Sequence, residues 1–359
     1  MKKILYILTF CAPLWMFSCV DNNDIGAPQP INPSEYVLPQ GGASQWAENW
    51  IQNTFETYGS YFLYKMTQKD FEWTQTTGTS TPSRIDSVVL MNPAHVEYFI
   101  KFLEEVWLNN ISEGMKHTWR LPYRVLLVDM MRQNNPAAMN PDHEGYPYQY
   151  NNEFLVKGTA IVISYTTVTT VNNADWSRMW YEFTPIHEMT AAQKTAKKER
   201  LANFIFNTFY AIPFPEAWFD LSDYDTPPPV EWNAQGTLIT AGVTGGDDNP
   251  AMPNYDPNDV NYERKVAWRH RGFLPSGYNA ANNNQPNEWL SNAYAWNTAR
   301  ITNDQSSFMT HLMTRTDAQM QFYLDTYPLI KEKWDFLVNY FTNEFGIDVR
   351  GIANMVYTD

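Results

Sequence analysis

The chain has 359 residues and a formal net charge of −14, with 18% charged and 16% aromatic residues. No basic cluster stands out, so the composition argues against nucleic acid as a partner. A chain rich in aromatic side chains and modest in charge is typical of a globular protein rather than a disordered one.

The first residues are typical of a targeting signal. Two lysines precede an apolar run, Ile4 to Phe17, which is too short to remain as a membrane-spanning helix. The run ends at Ser18-Cys19, where a small residue before a cysteine resembles the cleavage box of bacterial lipoproteins. We therefore predict a signal peptide over 1–18 and acylation of Cys19. The alternative is an ordinary secretory signal in which Cys19 is incidental.

A polar, proline-rich stretch over 19–43 predicts a tether between the lipid and one domain over 44–359. Within the tether, Asp21 and Asp24 resemble the acidic tag that sends some lipoproteins to the outer face of the outer membrane. Removal of the signal leaves Cys19 as the only cysteine, so neither a disulfide nor a thiolate metal site is expected.

Apolar spacing predicts helices first and strands next. Helical periodicity runs over Ser44–Met66, and proline opens a second helix over Pro93–Trp107. The apolar run Tyr123–Asp129 predicts a buried strand. A polar loop over 133–152 then precedes Glu153–Thr170, which predicts either two strands or one long strand.

A central helix is predicted over Lys198–Ala211, directly before the run Ile212–Pro215. Its core-facing positions have the spacing of one helix stripe: Leu201, Phe204, Ile205, Thr208 and Phe209. Phe206 and Tyr210 are four apart on a neighbouring face, with Asn207 beside them.

The chain after the central helix is first irregular and then helical. Residues 213–285 are rich in Pro, Asn, Asp and Gly, and a loop of that length is either functional or contains short elements. Helices are predicted over Asn287–Asn297, Ser306–Thr314 and Asp317–Phe345, the last kinked or broken at Pro328. The predicted class is α+β, with a small sheet and a largely helical C-terminal half.

Segments of this layout resemble, in order and spacing, a family of outer-membrane lipoproteins, the substrate import-associated zinc metallohydrolases. The likeness is carried by TFETYGSYFLYKM, VLLVDM, FLVKGTAIVISY, Phe214-Pro215 with Trp218-Phe219, Gly272-Phe273 with Ser276 and Tyr278, Ile330, Lys331, Tyr340-Phe341 and Phe345-Gly346-Ile347-Asp348. The resemblance implies a zincin-like metallopeptidase scaffold over about residues 44–355.

The resemblance also implies a zinc site whose ligands this chain lacks. In the family, the central helix carries HExxH, with two histidine ligands and a glutamate base, and a later helix supplies a glutamate ligand. The matching positions here are Phe206, Asn207, Tyr210 and Thr310. No two of the six histidines are four residues apart, so HExxH is missing in every register. We therefore expect no metal and no cofactor at these vacated positions.

Other candidate sites have simpler explanations. The pairs His143-Glu144 and His187-Glu188 are most simply surface pairs, and His270 is most simply solvated or packed near Tyr278. The loop over 245–259 is rich in carboxylate and amide oxygens, but it lacks the EF-hand order, which favours solvated turns over a calcium site.

Aromatic side chains in the irregular segments are candidate ligand-binding residues: Trp218, Trp232, Trp268 and Tyr278. Such rings stack on sugar rings or peptide side chains, and the alternative is that they fill the core.

The resemblance implies a function at the cell surface. The family accompanies starch-utilisation-type importers, each a TonB-dependent channel with a lipoprotein lid. The expected function is a catalytically inactive accessory subunit, anchored by lipid in the outer membrane, that binds or hands over a peptide or glycan. The alternative is a hydrolase of peptides or glycans that uses carboxylates, whose pairing is spatial rather than sequential.

Overall fold

The fold is known from a computed structural model. It describes residues 36–67, 70, 87–117, 121–137, 139–143, 146, 148–150, 152–157, 160–172, 179–222, 224, 248–252, 255–258, 266, 268–275, 278–279, 285–286 and 293–358. The predicted signal peptide, Cys19 and Trp232 lie outside these residues, as does most of the tether. The chain divides into two units, Met1–Pro39 and Gln40–Asp359, and the helices and strands named below lie in the second. Within the described residues, no helix combines the length and apolar character needed to cross a membrane.

The N-terminal half contains three helices and eight strands within its described residues. The helices are α1 (Gln45–Tyr58), α2 (Val96–Val106) and α3 (Glu113–Met115). The strands are β1 (Tyr61–Leu63), β2 (Ser87–Leu90), β3 (Arg124–Asn134), β4 (Tyr148–Gln149), β5 (Phe154–Lys157), β6 (Ala160–Ser164), β7 (Thr166–Asn172) and β8 (Met179–Pro185).

The helix predicted over Ser44–Met66 is shorter than its periodicity suggested. It begins after Ser44, whose side chain accepts a hydrogen bond from the backbone of Ala47. It ends before Gly59, which takes a φ of 70°, a left-handed conformation that glycine adopts without steric cost. The apolar residues beyond Gly59 form β1 instead.

The sheet is built around β3. Its strands follow the order β1-β3-β6-β5, and β2 and β4 also pair with β3. β1 and β6 run parallel to the first half of β3, and β5 runs antiparallel to β6. Val125–Val128 at the centre of β3 is fully buried, as a parallel strand between two neighbours should be. The predicted strand is confirmed. The segment Glu153–Thr170 contains β5, β6 and the start of β7, so it has three strands where one or two were predicted.

The C-terminal half is mainly helical. Its elements are α4 (Ala191–Asn203), α5 (Glu216–Phe219), β9 (Tyr278–Asn279), β10 (Gln285–Pro286), α6 (Ala293–Thr314), α7 (Asp317–Thr326), α8 (Pro328–Tyr340) and α9 (Val349–Asn354). Pro328 opens α8, which confirms the predicted break. α6 is one helix where two were predicted. The small sheet and this helical half confirm the α+β class.

The central helix begins at Ala191 rather than at the predicted Lys198. Its N-terminus is fixed by a capping box, in which the Thr190 side chain accepts from the backbone of Gln193 and the Gln193 side chain accepts from the backbone of Thr190. The extra turns carry polar and small residues, which is why apolar periodicity alone missed them.

Beyond α4 the chain forms a π turn over Phe204–Phe209, and this turn changes which residues are buried. The backbone N–H of Tyr210 donates to the carbonyl of Ile205, five residues back, at 2.9 Å. Because a π turn is wider than an α turn, the later side chains rotate: Thr208 is exposed, whereas Phe206 and Tyr210 are buried. The predicted core stripe is therefore correct through Ile205 and wrong at Thr208.

Among the described residues of the helical half, Arg269–Asp248 and Lys333–Asp304 are fully buried ion pairs, and Asp248 comes from the loop predicted to form solvated turns. Asp248 accepts from Arg269 at 3.1 and 3.2 Å and from the hydroxyl of Tyr323 at 3.1 Å. Asn249 is also buried and donates to the carbonyl of Gln319 at 2.7 Å. That prediction is wrong for these two residues, because their polar groups are satisfied by the protein instead of water.

Candidate functional site

A surface cavity of about 700 Å³ lies between α4 and the C-terminal end of α6. It is lined by Ala191, Ala192, Thr195, Ala196, Glu199, Arg200, Asn203, Thr310, Thr314, Arg315 and Tyr357. Small and hydroxyl-bearing side chains form most of the wall, with a carboxyl group, an amide, two guanidinium groups and one phenol ring among them.

Helix α4 presents one of its faces to this cavity. Ala192, Thr195, Ala196, Glu199 and Asn203 are three or four residues apart, so they share a single stripe on the helix. α4 packs directly against α6, which supplies the opposite wall.

Buried Lys198 ties α4 to the end of the chain. Its Nζ donates to the backbone carbonyls of Ile352, Ala353 and Met355 at 3.1, 3.4 and 2.8 Å. These carbonyls belong to the last turn of α9 and the residues after it, where a cation satisfies orphan acceptors and opposes the helix dipole. The C-terminal segment that carries Tyr357 is thereby held beside α4.

Buried Lys197 ties α4 to the sheet. Its Nζ lies 3.5 Å from the carbonyl oxygen of Thr166 and 3.9 Å from a carboxylate oxygen of Glu153. Burial lowers the pKa of Lys197 to about 8, against the opposing attraction of Glu153. With Lys197 and Lys198 both directed into the protein, the stripe that faces the cavity is fixed in orientation.

The charged groups of the cavity are balanced within the protein. Arg200 donates to both carboxylate oxygens of Glu153, at 2.8 and 3.1 Å. Burial raises the pKa of Glu199, while the positive charges of Arg315, Lys198 and Arg200 act in the opposite direction. The site therefore offers hydrogen-bonding groups without a strong net charge of either sign.

The structure places the four positions that match the zinc-site residues in different surroundings. Phe206 and Tyr210 are buried, with ring centroids 6.1 Å apart, whereas Asn207 is exposed and donates to the side chain of Asn203 at 3.5 Å. Thr310 lines the cavity. The last residue of α4 that lines the cavity is Asn203.

Zinc does not fit these residues. Phenylalanine has no donor atom, and a buried tyrosine, an exposed amide and a threonine do not replace two imidazoles and a carboxylate. Among the residues that the structure describes, no three histidine, cysteine, aspartate or glutamate side chains are grouped so as to hold a metal ion.

His187 makes more contacts than the predicted surface pair requires. Its Nε2 lies 3.4 Å from a carboxylate oxygen of Glu188, while its Nδ1 is hydrogen-bonded to the hydroxyl of Tyr165 at 2.7 Å. The ring of His95 lies against it, with centroids 4.3 Å apart. This group joins α2, the end of β6 and the turn before α4, so we assign it a packing role.

The other two candidate histidines are exposed. His143 stacks on Trp180 with ring centroids 4.6 Å apart, and its predicted partner Glu144 lies outside the described residues. His270 is exposed, as the solvated alternative of its prediction requires, and its ring packs against Tyr327 with centroids 5.1 Å apart.

The two predicted ligand-binding tryptophans within the described residues lie in the core. Trp218 is fully buried, and its indole N–H donates to the carbonyl of Lys333 at 3.2 Å. Trp268 is buried against Phe273, with centroids 5.7 Å apart. Both are packing residues in this structure. The side chain of Tyr278 lies outside what the structure describes.

The cavity was not predicted from the sequence, although a signal for it exists. The pattern Thr190-x-x-Gln193 is a capping box, and it places a helix start directly before the stripe that lines the cavity. Comparisons of the chain with protein-family models, with curated proteins and with solved structures found no match.

Proposed function

We propose that this chain is a lipid-anchored protein of the outer-membrane surface that binds a peptide or glycan for a starch-utilisation-type importer without hydrolysing it. The observation that carries the proposal is the cavity beside α4, where polar side chains surround a space large enough for a small ligand. On this proposal the scaffold is zincin-like, and α4 with its π turn corresponds to the helix that bears zinc ligands in the family that the sequence resembles.

The size and lining of the cavity support binding. Small-molecule sites usually have volumes of about 300–1,000 Å³ and combine apolar surface with a few placed polar groups. The cavity has about 700 Å³, three alanine side chains and several hydroxyl, amide and charged groups. Its position on packed helices, rather than on a long loop, favours a preformed shape.

The carboxyl groups near the cavity support binding without hydrolysis. Hydrolysis of glycosides ordinarily uses two carboxyl groups that flank the scissile bond. Of the described residues that line the cavity, Glu199 alone carries a carboxyl group. The neighbouring Glu153 is engaged by Arg200 and lies close to Lys197, so it is not available to activate water.

The proposed location rests on the N-terminal sequence, and the proposed partners rest on the family resemblance. A lipid on Cys19 and a tether over 19–43 would hold the domain at the membrane surface, beside a TonB-dependent channel and its lid lipoprotein. Affinity purification of the lipidated protein from its native membrane tests this part. We expect the channel and the lid to co-purify, and their absence would contradict the partnership.

Two matched substitutions test whether ligand binding occurs in the cavity. Ala192 and Ala318 are both exposed alanines at the second position of a helix with a Thr-x-x-Gln capping box, but only Ala192 lines the cavity. Ala192→Trp places a large ring in the cavity, and Ala318→Trp imposes the same change on the surface of α7.

The pair is assayed by equilibrium dialysis against a casein digest and a mixture of short plant and microbial oligosaccharides. We expect the wild type and Ala318→Trp to retain components of a mixture and Ala192→Trp to lose them. Equal retention by all three proteins would place binding elsewhere. Cleavage of a component by the wild type would favour the hydrolase alternative.

A further inference from the structure

We infer that the ligand of the cavity is a short neutral saccharide rather than a peptide or an anion. The inference rests on the proposed function and specifies the class of ligand that the same cavity accepts. Three features of the lining carry it: the balance of charge, the type of hydrogen-bonding group and the elements from which the walls are built.

The balance of charge favours a neutral ligand. The two guanidinium groups of the lining have acidic neighbours within the protein: Arg200 is paired with both oxygens of Glu153, and Arg315 interacts electrostatically with Glu199. An anionic ligand would have to compete with these carboxylates for the cations. A cationic ligand would meet two guanidinium groups beside the single carboxyl group.

The hydrogen-bonding groups favour a ligand that carries hydroxyl groups. Thr195, Thr310 and Thr314 bear hydroxyls, and Asn203 bears an amide, so the wall offers groups that donate and accept at short spacing. The hydroxyl of Thr314 already donates to the carbonyl of Thr310 at 2.8 Å and keeps its lone pairs for a ligand. Alanine methyl groups between them can contact the C–H faces of a sugar ring, and the Tyr357 ring adds an aromatic surface.

The elements that form the walls do not favour an extended peptide. Peptides commonly bind by adding a strand to the edge of a sheet, where backbone groups supply most hydrogen bonds. The described lining residues lie on α4, on α6 with the residue after it, and near the chain end, none of them on a strand. Beyond the first turn of α4, backbone N–H groups in these helices have intrahelical partners, so side chains make most of the contacts available to a ligand.

The test uses the full mature protein, an array of neutral di- to tetrasaccharides of glucose, galactose, mannose and xylose, and a tryptic digest of casein. We expect binding to one or more saccharides and none to the peptides. The affinity for the best saccharide should be nearly unchanged between 50 and 500 mM NaCl, because a neutral ligand has no charge to screen.

Three variants then connect that affinity to the lining. Thr195→Val and Thr310→Val each remove one hydroxyl at constant shape, and each should weaken binding by about 2- to 10-fold, the effect of losing one neutral hydrogen bond. Thr208→Val makes the same change at an exposed residue outside the lining and serves as the control. Thermal melting of each variant verifies that it is folded.

Each outcome decides a different point. Peptide binding that Ala192→Trp abolishes would overturn the saccharide inference and leave the proposed function intact. Affinity that falls steeply with salt would indicate a charged ligand and overturn the inference. If Thr195→Val and Thr310→Val bind the saccharide as tightly as Thr208→Val does, the saccharide does not bind in this cavity, and the inference is overturned. Absence of binding to either class would contradict the inference and the proposed function together.

Discussion

Lys333→Met should destabilise the protein strongly, because it breaks a buried ion pair from one side. The Lys333 ammonium is fully buried, 2.5 Å from a carboxylate oxygen of Asp304 and 3.0 Å from the carbonyl of Gly272. It also lies 4.3 Å from the centroid of the Trp218 ring. Asp304 accepts a second hydrogen bond from the hydroxyl of Tyr224, which the substitution leaves in place.

The expected loss follows from the charge that remains. Removing one partner of a buried pair leaves an uncompensated charge and typically costs about 3–5 kcal/mol of the free energy of unfolding. Replacing both charged groups avoids that charge, so Lys333→Met combined with Asp304→Asn should recover much of the loss. The asparagine keeps an oxygen that can accept from Tyr224.

The stability that Lys333→Met loses should also depend on pH. Burial raises the pKa of Asp304 above its ordinary value of about 4, and Lys333 opposes the rise, so the pKa rises further when Lys333 is removed. The folded variant then holds a proton that the unfolded chain has released. The stability of the variant therefore falls as pH rises towards the folded pKa of Asp304. Relative to the wild type, the variant should lose less free energy of unfolding at pH 5 than at pH 8.

Urea denaturation followed by tryptophan fluorescence measures these differences, since Trp218 lies directly beside the substituted residue. The wild type, the single variant and the double variant are compared at both pH values. A single variant that loses less than about 1 kcal/mol would show that the pair contributes like an exposed one. A double variant no more stable than the single one, or a loss independent of pH, would refute the reasoning about the remaining charge.

Three further predictions concern the anchor, the metal and a second buried lysine. Cys19→Ala should release the protein from the membrane fraction, and protease added to intact cells should remove the wild type; a soluble wild type would contradict the anchor. Purified protein should contain well under one zinc per chain by elemental analysis, and a chelator should leave its melting temperature unchanged, because the matching side chains are not zinc ligands; stoichiometric zinc that survives dialysis would contradict this. Lys197 has a folded pKa of about 8, below its unfolded value of about 10.4, so its contribution to stability rises with pH between these values. Lys197→Met should therefore show a smaller rise in urea midpoint from pH 8 to 10 than the wild type, and an unchanged rise would contradict the assignment.

The central strands β3, β5 and β6 and most of the longer helices could be predicted because their signals are local, whereas β1 was predicted as helix and β4 as loop. The apolar run of β3 is continuous, since the strand lies between two parallel neighbours, and Pro328 marks a helix start wherever it occurs. The class α+β followed from these elements. The end of α1 was missed because Phe62, four residues after Tyr58, continues the helical spacing by chance, although Gly59 ends the helix.

The cavity could not be predicted from apolar periodicity, because its residues are mostly small or polar and come from segments distant in sequence: α4, the end of α6 and the chain end. The π turn was equally hidden: nothing in the residue types of Phe204–Phe209 indicates a hydrogen bond of five-residue span, yet that bond decides that Tyr210 is buried and Thr208 exposed. The burial of Asp248 depends on Arg269 and Tyr323, which are distant in sequence. Such pairings are set by tertiary structure.

The central claim is that the cavity beside α4 holds an intact nutrient. The most direct measurement incubates the mature wild type, Ala192→Trp and Ala318→Trp with the mixed oligosaccharides and casein digest, separates protein from free ligand by gel filtration, and identifies the bound molecules by mass spectrometry. We predict uncleaved ligand bound to the wild type and to Ala318→Trp, and none bound to Ala192→Trp. Cleaved products in the wild-type sample, or equal retention by Ala192→Trp, would contradict the claim.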